Sequence, residues 1–153
     1  MGVVQLVSVT VIFGSGLVAG VFFAVAVSVL PALSAMPPDR YVQTHHLLGK
    51  GYHPTMPLLV NATLLADVVL VLLTDSWTAR ALLLVSIVGI LVVEAVSHLC
   101  NVPLNKLVRQ VADDTVPADW RDPRPLWRRW HGIRTISAFI VLLLNGLAVT
   151  IGH

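Results

Sequence analysis

The chain has 153 residues, of which 56% are apolar and only 12% are charged. Soluble domains carry about 25% charged residues, so this composition argues against a soluble domain and indicates an integral membrane protein. The formal net charge is only +2 and the basic residues cluster between apolar runs, so we expect no nucleic-acid partner. The single cysteine, Cys100, excludes an intrachain disulfide and a four-cysteine zinc site.

Four apolar runs follow one another along the chain, at about residues 3–30, 56–73, 81–100 and 133–151. A helix needs about 20 apolar residues to cross a hydrocarbon core of about 30 Å, and a helix satisfies its backbone polar groups internally. Strands of a lipid-facing barrel would be shorter and would alternate in polarity. We therefore predict an all-α fold, in which residues 1–153 form a single integral membrane four-helix bundle.

The first apolar run contains Gly16 and Gly20, with Gly14 and Ala19 nearby, and this pattern of small residues permits close contact between helices. Pro31 is expected to bend or end this helix, because proline removes a backbone hydrogen bond. The segment that follows, YVQTHHLLGKGYHPTMP, carries three candidate metal ligands: His45, His46 and His53.

Polar residues interrupt the second and third apolar runs. Asn61 and Asp67 lie about 120° apart on the second helix, so we do not expect both to face one cavity. Ionisable groups within a membrane are costly and usually face a bundle interior or a wet cavity. In the third run, the segment EAVSHLCNVPLN places four polar residues on one helical stripe, which predicts a shared site or a shared buried network: Glu94, His98, Asn101 and Asn105.

The connection over about residues 106–130 is the only stretch of soluble composition, and its prolines argue against one continuous helix. Its tryptophans, which include Trp127 and Trp130, indicate either an anchor at the headgroup level or a lid over a site. The fourth helix then begins with WHGIRT, where His131 and Arg134 lie about 60° apart.

Lysine and arginine are concentrated in the two long connections, and neither end of the chain carries any. The positive-inside rule then places these connections in the cytoplasm and both termini outside, in what we predict to be a bacterial plasma membrane. In this topology five of the six histidines lie near the same membrane face as Glu94 and Arg134. This clustering is the strongest functional signal of the sequence.

The clustered residues combine groups suited to proton transfer, anion binding and metal binding. We predict Glu94, His98 and Arg134 to be catalytic, because an acid or imidazole serves as a base and a guanidinium binds an anionic oxygen. A structural tie to Glu94 or to the asparagines Asn101 and Asn105 is the alternative for Arg134. The predicted substrate contacts are Asn61, Asn101, Asn105 and Trp130.

Histidines together with a carboxylate also suit iron or copper. The alternative is a metal-free reaction that begins with deprotonation of the substrate by His98 or Glu94. The predicted metal ligands are His45, His46, His53, Glu94, His98 and His131.

Three stretches resemble one known family: GLVAGVFFAVAVSVLPAL in the first helix, NVPLN after the third, and the Trp-rich start of the fourth with WHGIRT. They resemble the anthrone oxygenase-like membrane proteins over nearly the whole chain. The resemblance implies a small four-helix membrane protein, and characterised members oxidise anthrones to anthraquinones with dioxygen. The motif positions that carry over are Asn101, Pro103, Asn105, Trp130 and Arg134.

The chain also departs from the family pattern. Asparagine is expected where His131 stands, and Glu94 and His98 belong to no general motif of the family. These differences point to a subfamily with its own metal or substrate.

We therefore predict a membrane-embedded oxidoreductase, an oxygenase that acts on a lipophilic small molecule of the anthrone type or another secondary metabolite. Its predicted partners are dioxygen, membrane lipid, and a second copy of the chain or another protein. One alternative is a non-enzymatic membrane helper or lipid-binding protein, whose polar stripe joins helices. The other is a b-type haem protein with two histidines on facing helices.

Overall fold

The computed structural model describes residues 2–112, 116–117 and 119–152, and within these ranges it contains helices and no strand. Two π-turns join α-helices end to end. The elements in chain order are α1 (Val3–Ala24), the first π-turn (Val25–Val29), α2 (Leu30–Ala35), α3 (Pro38–Tyr52), α4 (Thr55–Leu73), α5 (Trp77–Val96), the second π-turn (Ser97–Asn101), α6 (Val102–Arg109) and α7 (Arg124–Ile151).

Four helical stretches are long and apolar enough to cross a membrane: Val3–Ala35, Thr55–Leu73, Trp77–Arg109 and Arg124–Ile151. They confirm the predicted all-α fold, and the chain is an integral membrane protein.

The third and fourth spans are longer than the apolar runs at 81–100 and 133–151 from which they were predicted. Hydropathy marks only the part of a helix that suits lipid, whereas backbone hydrogen bonding continues into polar ends whose long side chains reach water. The connection predicted over 106–130 is therefore confined to the stretch between α6 and α7. Its residues 113–115 and 118 lie outside the described residues.

Each π-turn is followed by a proline near the start of the next helix, Pro31 in α2 and Pro103 in α6. A proline has no N–H to donate, and its ring crowds the carbonyl four residues earlier. A π-turn, with hydrogen bonds from residue i to i+5, gives this ring more room. The first helix therefore does not end at Pro31, one of the two expected outcomes, but continues to Ala35.

Helix α1 packs against α4 and α7, and α5 packs against the same two helices, so the four spans close into a bundle. Two apolar clusters fill its interior, one that includes Phe22, Val93 and Val141 and one that includes Val11 and Leu83. Large apolar side chains cover the outside, as suits a surface in contact with lipid tails.

Glycines permit close helix contacts at two points. A Cβ atom on Gly14 would overlap a hydroxyl of α4, and one on Gly89 would lie 2.7 Å from a side chain of α7. A Cβ on Gly20 would meet nothing within 4 Å, and one on Gly16 would touch a single methyl group at 4.0 Å. Within the predicted pattern of small residues, the close contact is therefore made by Gly14 and not by Gly16 or Gly20, and Gly89 on α5 makes a second one.

Three polar side chains are fully buried deep in the bundle: Asp67, Ser86 and Asn145. Ser86 Oγ and Asn145 Nδ2 donate to Asp67 Oδ2 over 3.4 and 3.5 Å. These bonds join α4 to α5 and α7, and they give Asp67 a role in helix association.

Helix α3 packs against α2 and α6 around a small apolar cluster that contains Leu33, Tyr41 and Val108. The start of α7 is tied to this cluster, because Arg124 Nη1 donates to the carbonyl oxygens of Leu33 and Met36 over 3.0 and 2.7 Å. Arg124 also forms an ion pair of 2.7 Å with Asp122. One side chain therefore joins the beginning of the fourth span to the end of the first.

We expect Arg124→Gln to lower the free energy of unfolding by about 2 kcal/mol, because two carbonyl groups and one carboxylate lose a charged donor. Unfolding of the detergent-solubilised protein, followed by circular dichroism, measures this loss. Arg128→Gln changes an exposed arginine one turn along the same helix and should stay within about 0.5 kcal/mol of the wild type. Equal losses in the two variants would contradict the role given to Arg124.

Candidate functional site

A cavity of about 220 Å³ lies at the end of the bundle where α3 packs. Buried apolar side chains of three spans form its floor, among them Phe22, Val60 and Val93. Polar and titratable side chains line the rest of the wall. An apolar pocket with a few convergent polar groups is the usual form of a small-molecule site.

The mouth of the cavity is identified by the wall residues that are exposed. They come from α3 and the residue after it, from α4, and from the α5–α6 span, whereas the wall residues of α1 and α7 are buried or half-buried. The cavity therefore opens where α3, α4 and the α5–α6 span meet. The exposed wall residues are Tyr52, His53, Asn61, His98 and Arg109.

The structure places the three predicted catalytic residues, Glu94, His98 and Arg134, around this one cavity. They come from two different spans, and residues from the other elements complete the wall. The further predicted site residues that line it are His45, His53, Asn61 and Asn105.

Arg134 is held by two hydrogen bonds and two aromatic rings. Its Nε donates to His131 Nδ1 over 3.0 Å, and its Nη1 donates to Ser97 Oγ over 3.2 Å. Its Cζ lies 4.6 Å from the centroid of the Phe22 ring and 5.2 Å from that of Trp127. No carboxylate of the described residues forms an ion pair with it, so the alternative of a tie to Glu94 is not what the structure shows.

Glu94 lies on the same cavity wall, and its Oε1 atom is buried without a hydrogen-bond partner in the described part of the chain. His98 lies one turn along the helix at the exposed rim. A carboxyl group with an unused oxygen and a guanidinium without a carboxylate partner thus share one cavity. Glu94 Oε1 and the remaining nitrogen of Arg134 make no hydrogen bond to the described residues.

A second polar group of the wall joins α3, α6 and α7 through Asn105. Trp127 Nε1 donates to Asn105 Oδ1 over 2.7 Å, and His45 Nε2 lies 3.2 Å from the same oxygen. Because this oxygen accepts, the proton of His45 is on Nε2. Burial of the ring lowers the pKa of His45, and the charges of His46 and Arg109 lower it further, against the hydrogen bond to Asn105.

These wall residues of α3 to α7 lie within the stretch 45–144, about two thirds of the chain, that matches the family model for anthrone oxygenases. The chain belongs to the anthrone oxygenase family. The family predicted from NVPLN and WHGIRT is therefore confirmed. No curated protein and no solved structure matches the chain.

Not every residue predicted for the site of this family member lies on the cavity wall. Asn101 is buried and its Nδ2 donates to the Trp127 carbonyl over 3.3 Å, so it joins α7 to the second π-turn. Residues in a π-turn rotate by less than the 100° per residue of an α-helix, which moves Asn101 off the predicted stripe. Trp130 is half-buried and also lies outside the wall.

Among the described residues, no group of three or more His, Cys, Asp or Glu side chains lies close enough to hold a metal ion. The ring of His131 is fully buried, with Nε2 3.0 Å from the Phe22 carbonyl and Nδ1 bonded to Arg134. His46 Nε2 lies 3.2 Å from the Val108 carbonyl. Neither histidine lines the cavity, and the copper or iron site stays a prediction.

Among the wall residues that the sequence did not assign to the site are Ser97 and Trp127, of which Trp127 was predicted only as part of an anchor or lid. Trp127, His131 and Arg134 are spaced by four and three residues, which is the spacing of one helical face. This signal was hidden because the prolines at 123 and 125 suggested that the helix begins later, whereas proline is well tolerated in the first turn. Ser97 carried no signal of its own.

The lowered pKa of His45 predicts a pH dependence of stability for this family member. The unfolded chain binds a proton near the ordinary pKa of 6.5, before the folded chain does, so stability should fall as pH drops below about 6.5. We expect His45→Gln to reduce this fall relative to the wild type. Melting temperatures in detergent between pH 7.5 and 5.5 measure the difference, and parallel curves would contradict it.

Proposed function

We propose that the protein is a membrane-embedded oxygenase that converts an activated methylene group of a lipophilic aromatic molecule into a ketone with dioxygen. The observation that supports it best is that the carboxyl group of Glu94 and the guanidinium of Arg134 share the wall of one apolar cavity without forming an ion pair. Membership of the anthrone oxygenase family supports the reaction class. An anthrone has such a methylene group, together with a carbonyl that conjugates to it.

The proposed first step is transfer of a proton from the methylene carbon to the carboxylate of Glu94. The electron pair left on carbon delocalises onto the substrate's carbonyl oxygen. Arg134 binds this oxygen as its negative charge develops, and the aromatic rings around the guanidinium exclude water and so strengthen the attraction. His98 at the rim is the second candidate base.

The carbanion then reacts with dioxygen. One oxygen atom bonds to the carbon, and the other leaves as water with the two hydrogens of the former methylene group. The balance is CH₂ plus O₂ to C=O plus H₂O, so the substrate supplies all the electrons and no external reductant is needed.

The dimensions of the cavity restrict the substrate. A volume of about 220 Å³ lies below the roughly 300–1,000 Å³ of typical ligand pockets. A compact molecule of few rings fits this description, and Phe22, Val60 and Val93 provide an apolar floor for it. Asn61 Oδ1 and Asn105 Nδ2 would hydrogen-bond to its substituents, because Asn61 Nδ2 and Asn105 Oδ1 are used within the protein.

The position of the mouth supports entry from the membrane. Asn61 is an exposed wall residue about 9 Å from the start of α4, at 1.5 Å per residue. Part of the opening therefore lies at bilayer depth. With the two basic connections in the cytoplasm, this depth belongs to the inner leaflet, where a lipophilic substrate would concentrate.

The test uses the purified full chain with 1,8-dihydroxyanthrone as probe, and follows dioxygen uptake together with anthraquinone absorbance. We expect Glu94→Gln and Arg134→Gln each to lower kcat by about 100- to 1,000-fold. Asp39→Asn changes an exposed carboxyl group that does not line the cavity and should leave kcat within about threefold. Wild-type turnover in the folded Glu94 and Arg134 variants would rule the mechanism out.

Two further measurements with the same preparation test the predicted metal site and the non-enzymatic alternative. If a chelator abolishes turnover and copper or iron restores it, Glu94 and His98 become candidate metal ligands. If no anthrone turns over but the probe binds to the cavity, the lipid-binding or helper alternative gains support over the oxygenase.

A further inference from the structure

His131 lies directly behind Arg134 and does not touch the cavity. Its side chain is fully buried in a pocket made by two aromatic residues of the site. The Trp127 ring stacks on it at 5.0 Å with an interplanar angle of 15°, and the Phe22 ring meets it edge-on at 5.7 Å. The imidazole therefore has a single position.

The contacts of the ring determine which nitrogen carries the proton. Arg134 Nε is always a donor, so His131 Nδ1, 3.0 Å away, must accept. The proton is then on Nε2, which donates to the Phe22 carbonyl oxygen over 3.0 Å. The neutral imidazole thus links the α1 backbone to the guanidinium through two hydrogen bonds.

These contacts determine which nitrogens of Arg134 remain available to a bound molecule. With Nε bound to His131 and Nη1 bound to Ser97, Nη2 is the guanidinium nitrogen that makes no hydrogen bond to the described residues. The unpaired carboxyl group of Glu94 lines the same cavity, and opposite charges attract strongly where water is excluded. The two groups nevertheless form no ion pair. His131 and Ser97 instead occupy two of the three guanidinium nitrogens.

We propose that His131 is a positioning residue that keeps Arg134 turned toward an anionic oxygen in the cavity and away from Glu94. This inference rests on the role of Arg134 as the anion-binding group of the proposed function. Loss of the Nδ1 acceptor frees the guanidinium to pair with Glu94. The pair would neutralise the anion-binding group and the base together.

Three substitutions separate the two hydrogen bonds of the ring. The amide oxygen of His131→Asn is attached to Cγ, as Nδ1 is, so this variant keeps an acceptor for Arg134. His131→Gln reaches the position of Nε2, so it keeps the donor to Phe22 but removes the acceptor. His131→Leu removes both groups.

The measurement is a binding ratio and needs no turnover. Alizarin, studied as its phenolate anion, and its neutral dimethyl ether are titrated against the full chain in detergent, with tryptophan fluorescence as the readout. We expect the wild type to prefer the anion. His131→Leu and His131→Gln should lower the ratio of the two affinities by about tenfold, the loss of one charge-assisted hydrogen bond, whereas His131→Asn should stay within about threefold of the wild type.

A purely structural role of His131 predicts a different result, namely equal weakening of both ligands and an unchanged ratio. That outcome in a folded variant, or a loss in His131→Asn as large as in His131→Leu, would overturn the inference. If His131→Leu does not fold by circular dichroism, His131→Gln decides the question, because it keeps the bond to Phe22. Failure of the oxygenase itself appears separately, as absent turnover of 1,8-dihydroxyanthrone with the binding ratio intact.

Discussion

The burial of a guanidinium inside a membrane-spanning bundle is the constraint on which the rest of this structure depends. Arginine is costly to remove from water, and in a membrane interior its donors have to be satisfied by the protein. Here an imidazole and a hydroxyl satisfy two nitrogens, and two aromatic faces take the place of water around the carbon. The positive charge of Arg134 is thus stabilised without being neutralised.

Charge that is stabilised but not neutralised is what electrostatic catalysis requires. A carboxylate partner would stabilise Arg134 more simply, but it would leave no net field for a bound anion. The apolar floor of the cavity strengthens the attraction between Arg134 and a bound anion, because electrostatic interactions are stronger where the local dielectric constant is low. The arrangement around Arg134 therefore connects the packing of four spans to the proposed chemistry.

The sequence allowed the membrane bundle and the wall residues Glu94, His98 and Arg134 to be located, because ionisable groups within apolar runs stand out. It did not reveal which partner each group has. His131 was predicted as a metal ligand from its residue type, whereas its two nitrogens are used by a backbone carbonyl and a guanidinium. Such pairings depend on packing between helices that are far apart in the chain, and no local pattern contains them.

Asn101 illustrates a different limit, that of periodicity. The assignment of four polar residues to one stripe assumed an unbroken α-helix, and the second π-turn breaks that assumption between Glu94 and Asn105. As a result, Asn105 lies on the cavity wall, whereas Asn101 forms a hydrogen bond to α7. The proline after the turn was visible, but its effect on helix rotation was not.

The two π-turns also have an evolutionary consequence. Each is equivalent to a one-residue insertion into an α-helix, and because its residues rotate by less than 100° each, the turn absorbs that residue and leaves the helix beyond it on nearly the same face. A relative with one residue fewer between Glu94 and Asn105 would form a regular helix there and still turn the equivalent of Asn105 toward the cavity. Gaps at these two places would therefore alter only the side chains of the turn itself and leave the rest of the cavity wall in position.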